Sequence, residues 1–465
     1  MKYRIEKDSM GEVKVPSNAL WGAQTQRAID NFKMSGITLK FPFGRSFIEA
    51  LGIIKLSAAR TNAKHGLIQK GIGVAIEKAA IEIINGTYDD QFPVDVFQTG
   101  SGTSTNMNAN EVIANVASKK LKKSVSPNDH VNMSQSSNDV IPTAIHIAAT
   151  LDIRRSLIPS LDALIRSIRS KKSKLSGIVK TGRTHLMDAM PIEFAQELSG
   201  WEAQLVEHKK ELTSALTKLS KLPQGGTAIG TGINAPKAFG RDFAKEVQKV
   251  TKYKFSTSPN YFMSLSSQDA AMHASSVVKN LALTLMKIAN DLRWMNSGPL
   301  TGLGEIELEA LQPGSSIMPG KVNPVVSESV IMAGADILGN DLSISYANQG
   351  GNFQLNVLLP LIAYNLLKSI RLAYSSCDLL ADKGIKSFKV NTKNIQAQLD
   401  KNPILVTALN REIGYVKAAE IAKKAYKENK PIIDVAEAET NISRARLVKL
   451  LDPKKLTRAD CNCQI

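Results

Sequence analysis

Apolar residues recur at three- and four-residue spacing through 47–65 and 72–85, which predicts helices with one buried face. The same spacing persists over longer runs and predicts long amphipathic helices over 140–170, 192–219, 269–295, 325–345 and 356–383. Most exceed the ordinary helix of about 11–12 residues, so the chain reads as a mainly helical, all-α fold built on a bundle. Residues 3–15 read as extended, and 391–465 as short helices, including 413–428 and 431–439, with a polar end. This divides the chain into a mixed, mostly helical N-terminal domain (1–137), a central long-helix domain (138–390) and a small C-terminal domain (391–465). Long helices need long partners, and five of them can bury their stripes internally or against copies of the chain, so a homo-oligomer is expected.

Composition supports this picture. The 465 residues allow a sizeable core, and only 5% are aromatic, which favours helix over an all-β fold. Lys and Arg exceed Asp and Glu to give a net charge of +17, a field that attracts anions from nucleic acid to small dicarboxylates. The densest basic runs, 119–123 and 166–174, lack the interleaved aromatics of a base-stacking surface. They read as solvated helix faces, and no nucleic-acid partner is expected. The three cysteines, Cys377, Cys461 and Cys463, are odd in number and form no CxxC pair, which points to a reducing compartment, the cytoplasm. Residues 1–10 carry no apolar run of a signal peptide, and the most apolar stretch, 355–367, is broken by Asn356, Pro360 and Asn365 and is too short to span a bilayer.

Three loops carry the unusual chemistry. Residues 98–108 (QTGSGTSTNMN), 134–139 (SQSSND) and 314–324 (GSSIMPGKVNP) are dense in Gly, Ser, Thr and Asn, nearly free of acids, and each precedes a helical pattern. Hydroxyl and amide donors beside a helix N-terminus form a site for anionic oxygen, and the same residues also serve as plain capping turns. The third loop adds a cation, Lys321, and an amide, Asn323, to two hydroxyls. That combination can abstract a proton and hold a carboxylate in one place.

Competing motifs fail on spacing. A phosphate loop would need glycine where Pro319 stands and a magnesium-binding hydroxyl where Val322 stands. The run 225–232 (GGTAIGTG) lacks the strand–helix alternation of a dinucleotide fold. No HExxH or Cys/His cluster occurs, so neither a metal nor another cofactor is expected. Of six histidines, His185 stands out, because Gly182-Arg183-Thr184-His185 crowds a cation, a hydroxyl and a titratable imidazole together.

GSSIMPGKVNP at 314–324 resembles the signature loop of the fumarase/aspartase superfamily. The resemblance covers almost the whole chain: 8–11 (DSMG), 20–27 (LWGAQTQR), the loop at 100–111 (GSGTSTNMNANE), SSND at 136–139 and 351–356 (GNFQLN). Within that superfamily, His185 in GRTHL, Ser136-Ser137-Asn138, Gly225-Gly226-Thr227-Ala228 and Gly320 resemble the class II fumarases. Val325-Val326 resembles the aspartases instead, which keeps aspartate ammonia-lyase chemistry as an alternative.

The resemblance implies three mostly helical domains, with the central bundles of four subunits packed as a twenty-helix core and each active site shared between three subunits. It implies reversible elimination of water from (S)-malate, without cofactor, through an aci-carboxylate intermediate. Ser315 would be the base, with Lys321 and Asn323 holding the carboxylate that accepts charge. His185, oriented by Glu328 and working through a water, would manage the proton of the leaving hydroxyl. Ser101, Gly102, Thr103, Ser136, Ser137, Asn138, Thr184, Ser316 and Val322 would complete the substrate contacts. A second anion site would fall at Ser126, Pro127, Asn128 and Asp129, where serine replaces the family's histidine. Cys461 and Cys463 have no counterpart and read as a frayed tail or as an oxidation-sensitive thiol pair.

Overall fold

The computed structural model describes residues 2–39 and 44–457, so the tail holding Cys461 and Cys463 lies outside the described residues. The fold is mainly helical, and the strands of the described residues pair only two by two. The chain forms two compact units. One comprises Met1–Pro159, His208–Ala282 and Ala333–Ser375, the other Ser160–Glu207, Leu283–Met332 and Ser376–Ile465.

The first unit opens with a hairpin, where the extended segment is expected, in which Tyr3–Asp8 pairs antiparallel with Gly11–Pro16. Arg4 fixes the chain beyond it by donating to the carbonyls of Pro16, Ala19 and Trp21 at 2.8, 2.7 and 2.6 Å. Helix Arg45–Lys64 is the axis of this unit and packs against Lys70–Ile84, Ser137–Asp152 and Phe239–Thr251. Surrounded in this way, it buries Phe47, Ile48, Leu51 and Ile54, each contributing roughly 1.5–3 kcal/mol by leaving water. It also buries one cation, Lys55.

In the second unit, Val179–Thr184 pairs antiparallel with Met187–Glu193. An internal charge network anchors the first of these strands. Lys180 Nζ lies 2.9 Å from Glu197 and 2.7 Å from Glu305, which also accepts from Arg183 at 2.7 Å. The C-terminal segment closes a small core of its own around Leu405, Leu409, Ile421, Val435 and Leu447.

The long helices form close to their expected positions, and Asp269–Met295 coincides with its expected range. Three differences have physical causes. The run at 140–170 is Ser137–Asp152, a π-helical turn Ile153–Leu157, and Ile158–Lys174. The buried residues of this turn, Ile153 and Leu157, stand four apart as in an ordinary helix, so sequence periodicity passes over it. The helix expected from 192 starts two residues later at Phe194, since 192 and 193 belong to strand Met187–Glu193. The helix expected from 413 starts at Tyr415, because Gly414 sits at φ 77 and breaks the helical path.

Candidate active site

The first donor-rich loop ends at Gly102, whose φ of 72 only glycine adopts without strain, and helix Thr103–Leu121 begins immediately after it. Ser101 and Thr103 share a hydroxyl hydrogen bond of 2.8 Å. Gln98 braces the loop by accepting from the Thr105 N–H and hydroxyl at 3.0 and 2.8 Å.

The second loop starts helix Ser137–Asp152 with a reciprocal cap: the Ser136 hydroxyl oxygen accepts from the Asn138 N–H at 3.2 Å, and Asp139 accepts from the Ser136 N–H at 2.9 Å. The other oxygen of Asp139 accepts from the Gly225 and Thr227 N–H groups at 3.0 and 2.9 Å. The glycine-rich run at 225–232 therefore cradles a carboxylate of the chain itself. Asn138 is tied to the same run through a 2.7 Å bond to the Ala228 carbonyl. Burial pushes the Asp139 carboxyl up to about 6, against the N–H bonds and the charge of Lys55 that pull it down.

Lys55 lies beneath both loops and bonds to Asn106, Asn132 and Gln135. Asn106, in the first helical turn after the Gly102 loop, donates in turn to the Ser137 hydroxyl at 2.9 Å. The structure thus brings Ser101, Gly102, Thr103, Ser136, Ser137 and Asn138 to the adjoining starts of two helices in the first unit. Lys55 and Asn106 are not anticipated as site residues. The available signal is a lysine set between Ile54 and Leu56 in the stretch Leu51–Ala59, where it is the one charged residue.

Thr184, His185 and Glu328 and the Ser315 loop belong to the second unit. His185 and Leu186 are the two central residues of the hairpin closed by Thr184 and Met187, with φ of 55 and 61. Left-handed conformations cost L-residues about 1–2 kcal/mol each, so the Lys180–Glu305–Arg183 network holds a strained tip that leaves the imidazole exposed. Among the described residues no bond joins His185 to Glu328, which lies exposed in the first turn of Val325–Asn348.

In the third loop the Ser315 hydroxyl oxygen accepts two backbone N–H groups, from Ile317 at 3.2 Å and Met318 at 3.0 Å. Two convergent N–H donors stabilise negative charge on that oxygen. The neck of the loop is closed by Gly314 N–H to the Lys321 carbonyl at 2.8 Å and by the Asn323 amide to the Gly314 carbonyl at 2.6 Å. Ser316, Lys321 and Val322 are exposed on the same loop, and Asn323 is half-buried.

At the expected second anion site the groups bond to one another. Ser126 caps the turn Pro127–Val131, and its hydroxyl pairs with the Asp129 carboxylate at 2.8 Å and accepts the Asp129 N–H at 3.0 Å. His130 accepts the Ser126 N–H, and Asn128 lies within the turn. Among the described residues no group of three or more His, Cys, Asp or Glu side chains is placed to hold a metal ion.

The profile of the Lyase family matches residues 11–339, and that of the Fumarase C C-terminus matches 405–458. A "Fumarate hydratase class II" of Xylella fastidiosa is 55% identical over 456 residues, covering 98% of this chain and 96% of its own. "Fumarate hydratase class II 2" of Pseudomonas aeruginosa is also 55% identical and covers 98% of both chains. Among solved structures, the class II fumarase of Schistosoma mansoni superposes with a TM-score of 0.94 at 36% identity, over 98% of this chain and 99% of its own.

Proposed function

Because the chain belongs to the lyase family, and within it to the class II fumarases, we infer that it is a fumarate hydratase, interconverting (S)-malate with fumarate and water. The observation that carries the chemical reading is the pair of backbone N–H groups on the Ser315 hydroxyl oxygen. The proton at C3 of malate is weakly acidic, so its removal needs a strong base and a stabilised product of deprotonation. Two N–H donors lower the cost of the serine alkoxide, and the Lys321 cation on the same loop adds positive potential.

Ser315 takes the C3 proton, and the electron pair moves into the adjacent carboxylate to give an aci-carboxylate. Lys321 and Asn323 hold that carboxylate, where positioned donors act most strongly. The pair then returns to form the C2–C3 double bond as the C2–O bond breaks. His185, oriented by Glu328, supplies a proton through a water to the departing hydroxide. The hydroxyl and amide donors Ser101, Thr103, Thr184, Ser136, Ser137 and Asn138 bind the remaining carboxylate and hydroxyl of the small dicarboxylate, with Gly102, Ser316 and Val322 shaping the contacts. No metal or other cofactor enters these steps.

The active assembly is a homotetramer in which three copies contribute to each site. Support comes from helix Val325–Asn348, which buries Val330, Ile337 and Ile344 yet leaves Met332, Leu342 and Tyr346 68, 72 and 70% exposed. Met332, Leu342 and Tyr346 form an apolar flank opposite the buried one, and a flank of this kind is covered by another helix in an assembly. The division at 1–137, 138–390 and 391–465 then separates the parts flanking the bundle from the bundle itself. Among the described residues no helix is long and apolar enough to cross a membrane, and the enzyme works in the cytoplasm. Ser126, Pro127, Asn128 and Asp129 serve as an outer anion site only when the Ser126–Asp129 pair opens.

The test is ultraviolet absorbance of the conjugated double bond of fumarate, with L-malate and separately with L-aspartate, in the presence of a chelator. Fumarate from malate alone is expected. Fumarate from aspartate alone would overturn the assignment in favour of ammonia elimination.

A further inference from the structure

Lys55 sits fully buried in helix Arg45–Lys64, where burial lowers its pKa to about 7 against the charge of Asp139, and its Nζ bonds to amide oxygens. Its three N–H donors meet three side-chain amide oxygens: Asn106 Oδ1 at 2.8 Å, Asn132 Oδ1 at 3.2 Å and Gln135 Oε1 at 3.1 Å. An ammonium group only donates, so it dictates which end of each amide faces it. If the Asn106 amide turned over, its NH2 would face the ammonium, donor against donor, between two fully buried side chains.

With its oxygen committed to Lys55, Asn106 directs its NH2 outward. One hydrogen goes to Asn132 Oδ1 at 3.2 Å and the other to Ser137 Oγ at 2.9 Å. The orientation is over-determined, because Asn132 Oδ1 also receives the Asn110 amide at 3.1 Å, and Gln135 Nε2 donates to the Val131 and Met133 carbonyls. Ser137 is half-buried, and its oxygen has been given a donor from inside the fold. Its own hydrogen is left to point away from Asn106.

We propose that Lys55 is a positioning residue that, through Asn106, fixes the Ser137 hydroxyl as a hydrogen-bond donor to a carboxylate of the bound dicarboxylate. The inference rests on the reading of Ser137 as a substrate-binding residue and adds to it the device that sets the direction of its proton. A chain of donors thus runs from a buried cation to the site without the cation touching substrate. Without it, the Ser137 hydroxyl is free to donate inward and meet an anion with its lone pairs.

The decisive variant is N106D. A carboxylate keeps the shape and still accepts from Lys55, but it cannot donate to Ser137 Oγ, so the hydroxyl turns inward. Steady-state kinetics with L-malate should show KM raised roughly 10-fold or more, the loss of one hydrogen bond to a charged group, with kcat changed far less. S137A should raise KM by a similar factor, and N106D should add nothing further in the S137A background. Additive effects would show that the new charge acts by repelling the substrate, and would overturn the proposal. So would a normal KM in N106D beside a raised KM in S137A. A normal KM in S137A itself would instead remove Ser137 from substrate binding, and the relay with it. Should N106D not assemble, K55Q, which frees the Asn106 amide to turn over, is put through the same cycle with the same expectations.

Discussion

A single methyl group at Gly314 should disable the Ser315 loop while leaving the fold intact. A Cβ built there lies 2.4 Å from the Lys321 carbonyl oxygen and 2.9 Å from the Asn323 nitrogen, both backbone atoms. Ordinary contact begins at 3.4 Å, so the carbonyl must retreat by about 1 Å, and a misplacement of that size costs roughly 10²-fold in rate. The retreat breaks the Gly314–Lys321 bond of 2.8 Å and slackens the Asn323–Gly314 bond of 2.6 Å, which hold Lys321 and Asn323 across from Ser315. Both bonds lie on a largely exposed loop, so their loss should lower global stability by only about 1–2 kcal/mol. The assay is malate dehydration by G314A alongside its urea denaturation curve. The expected result is kcat down roughly 10²-fold in a chain that unfolds almost as the parent does. Turnover within threefold of the parent would refute the reasoning, because it would mean that the closed neck does not position the chemistry.

Three further outcomes are expected. S315A should reduce turnover by roughly 10²-fold or more with assembly intact by size-exclusion chromatography, as removal of a general base requires; full turnover would exclude Ser315. D139N replaces an acceptor of three buried N–H groups with an amide that must face at least one of them as a donor, and should cost about 3 kcal/mol or more in urea denaturation; an unchanged midpoint would contradict it. His146 is buried, its ring bonded to the Lys221 carbonyl at 2.9 Å, and burial pulls its pKa down from 6.5 to about 4. Between those values the unfolded chain holds a proton that the folded chain lacks, so this contribution is complete above about 6.5 and is lost as pH falls towards 4. It amounts to about 3 kcal/mol, and H146Q should lose less stability than the parent across that window. Asp139 and Asp152, both raised to about 6, contribute the opposite slope and cancel in the comparison; parallel pH curves would contradict the assignment.

The long helices were legible because burial imposes a period that survives every other pressure on the sequence, as in Asp269–Met295. The hairpin carrying His185 was not. Tight two-residue turns announce themselves as Asn-Gly or Asp-Gly, and here His185 and Leu186 occupy the left-handed positions, held by ion pairs distant in sequence. The donor-rich loops were legible as composition, but their electrostatics were not. That the glycine-rich run at 225–232 serves Asp139, and that Lys55 orders the amides behind Ser137, depends on contacts between helices that no local pattern encodes. A buried lysine in an apolar helix differs from a solvated one only through its neighbours in space.

The apolar flank of Val325–Asn348 sets a condition on biosynthesis. A newly made chain displays Met332, Leu342 and Tyr346, and bare apolar surface adheres to wrong partners as readily as to right ones. Assembly of the proposed tetramer is at least bimolecular, so the yield of active enzyme should climb more steeply than in proportion to the amount synthesised. Under the proposed tetramer, in which neighbouring copies complete each site, a chain that folds normally but cannot catalyse would enter mixed assemblies and silence sites belonging to intact chains. In a cell carrying two alleles, such a lesion would behave as dominant.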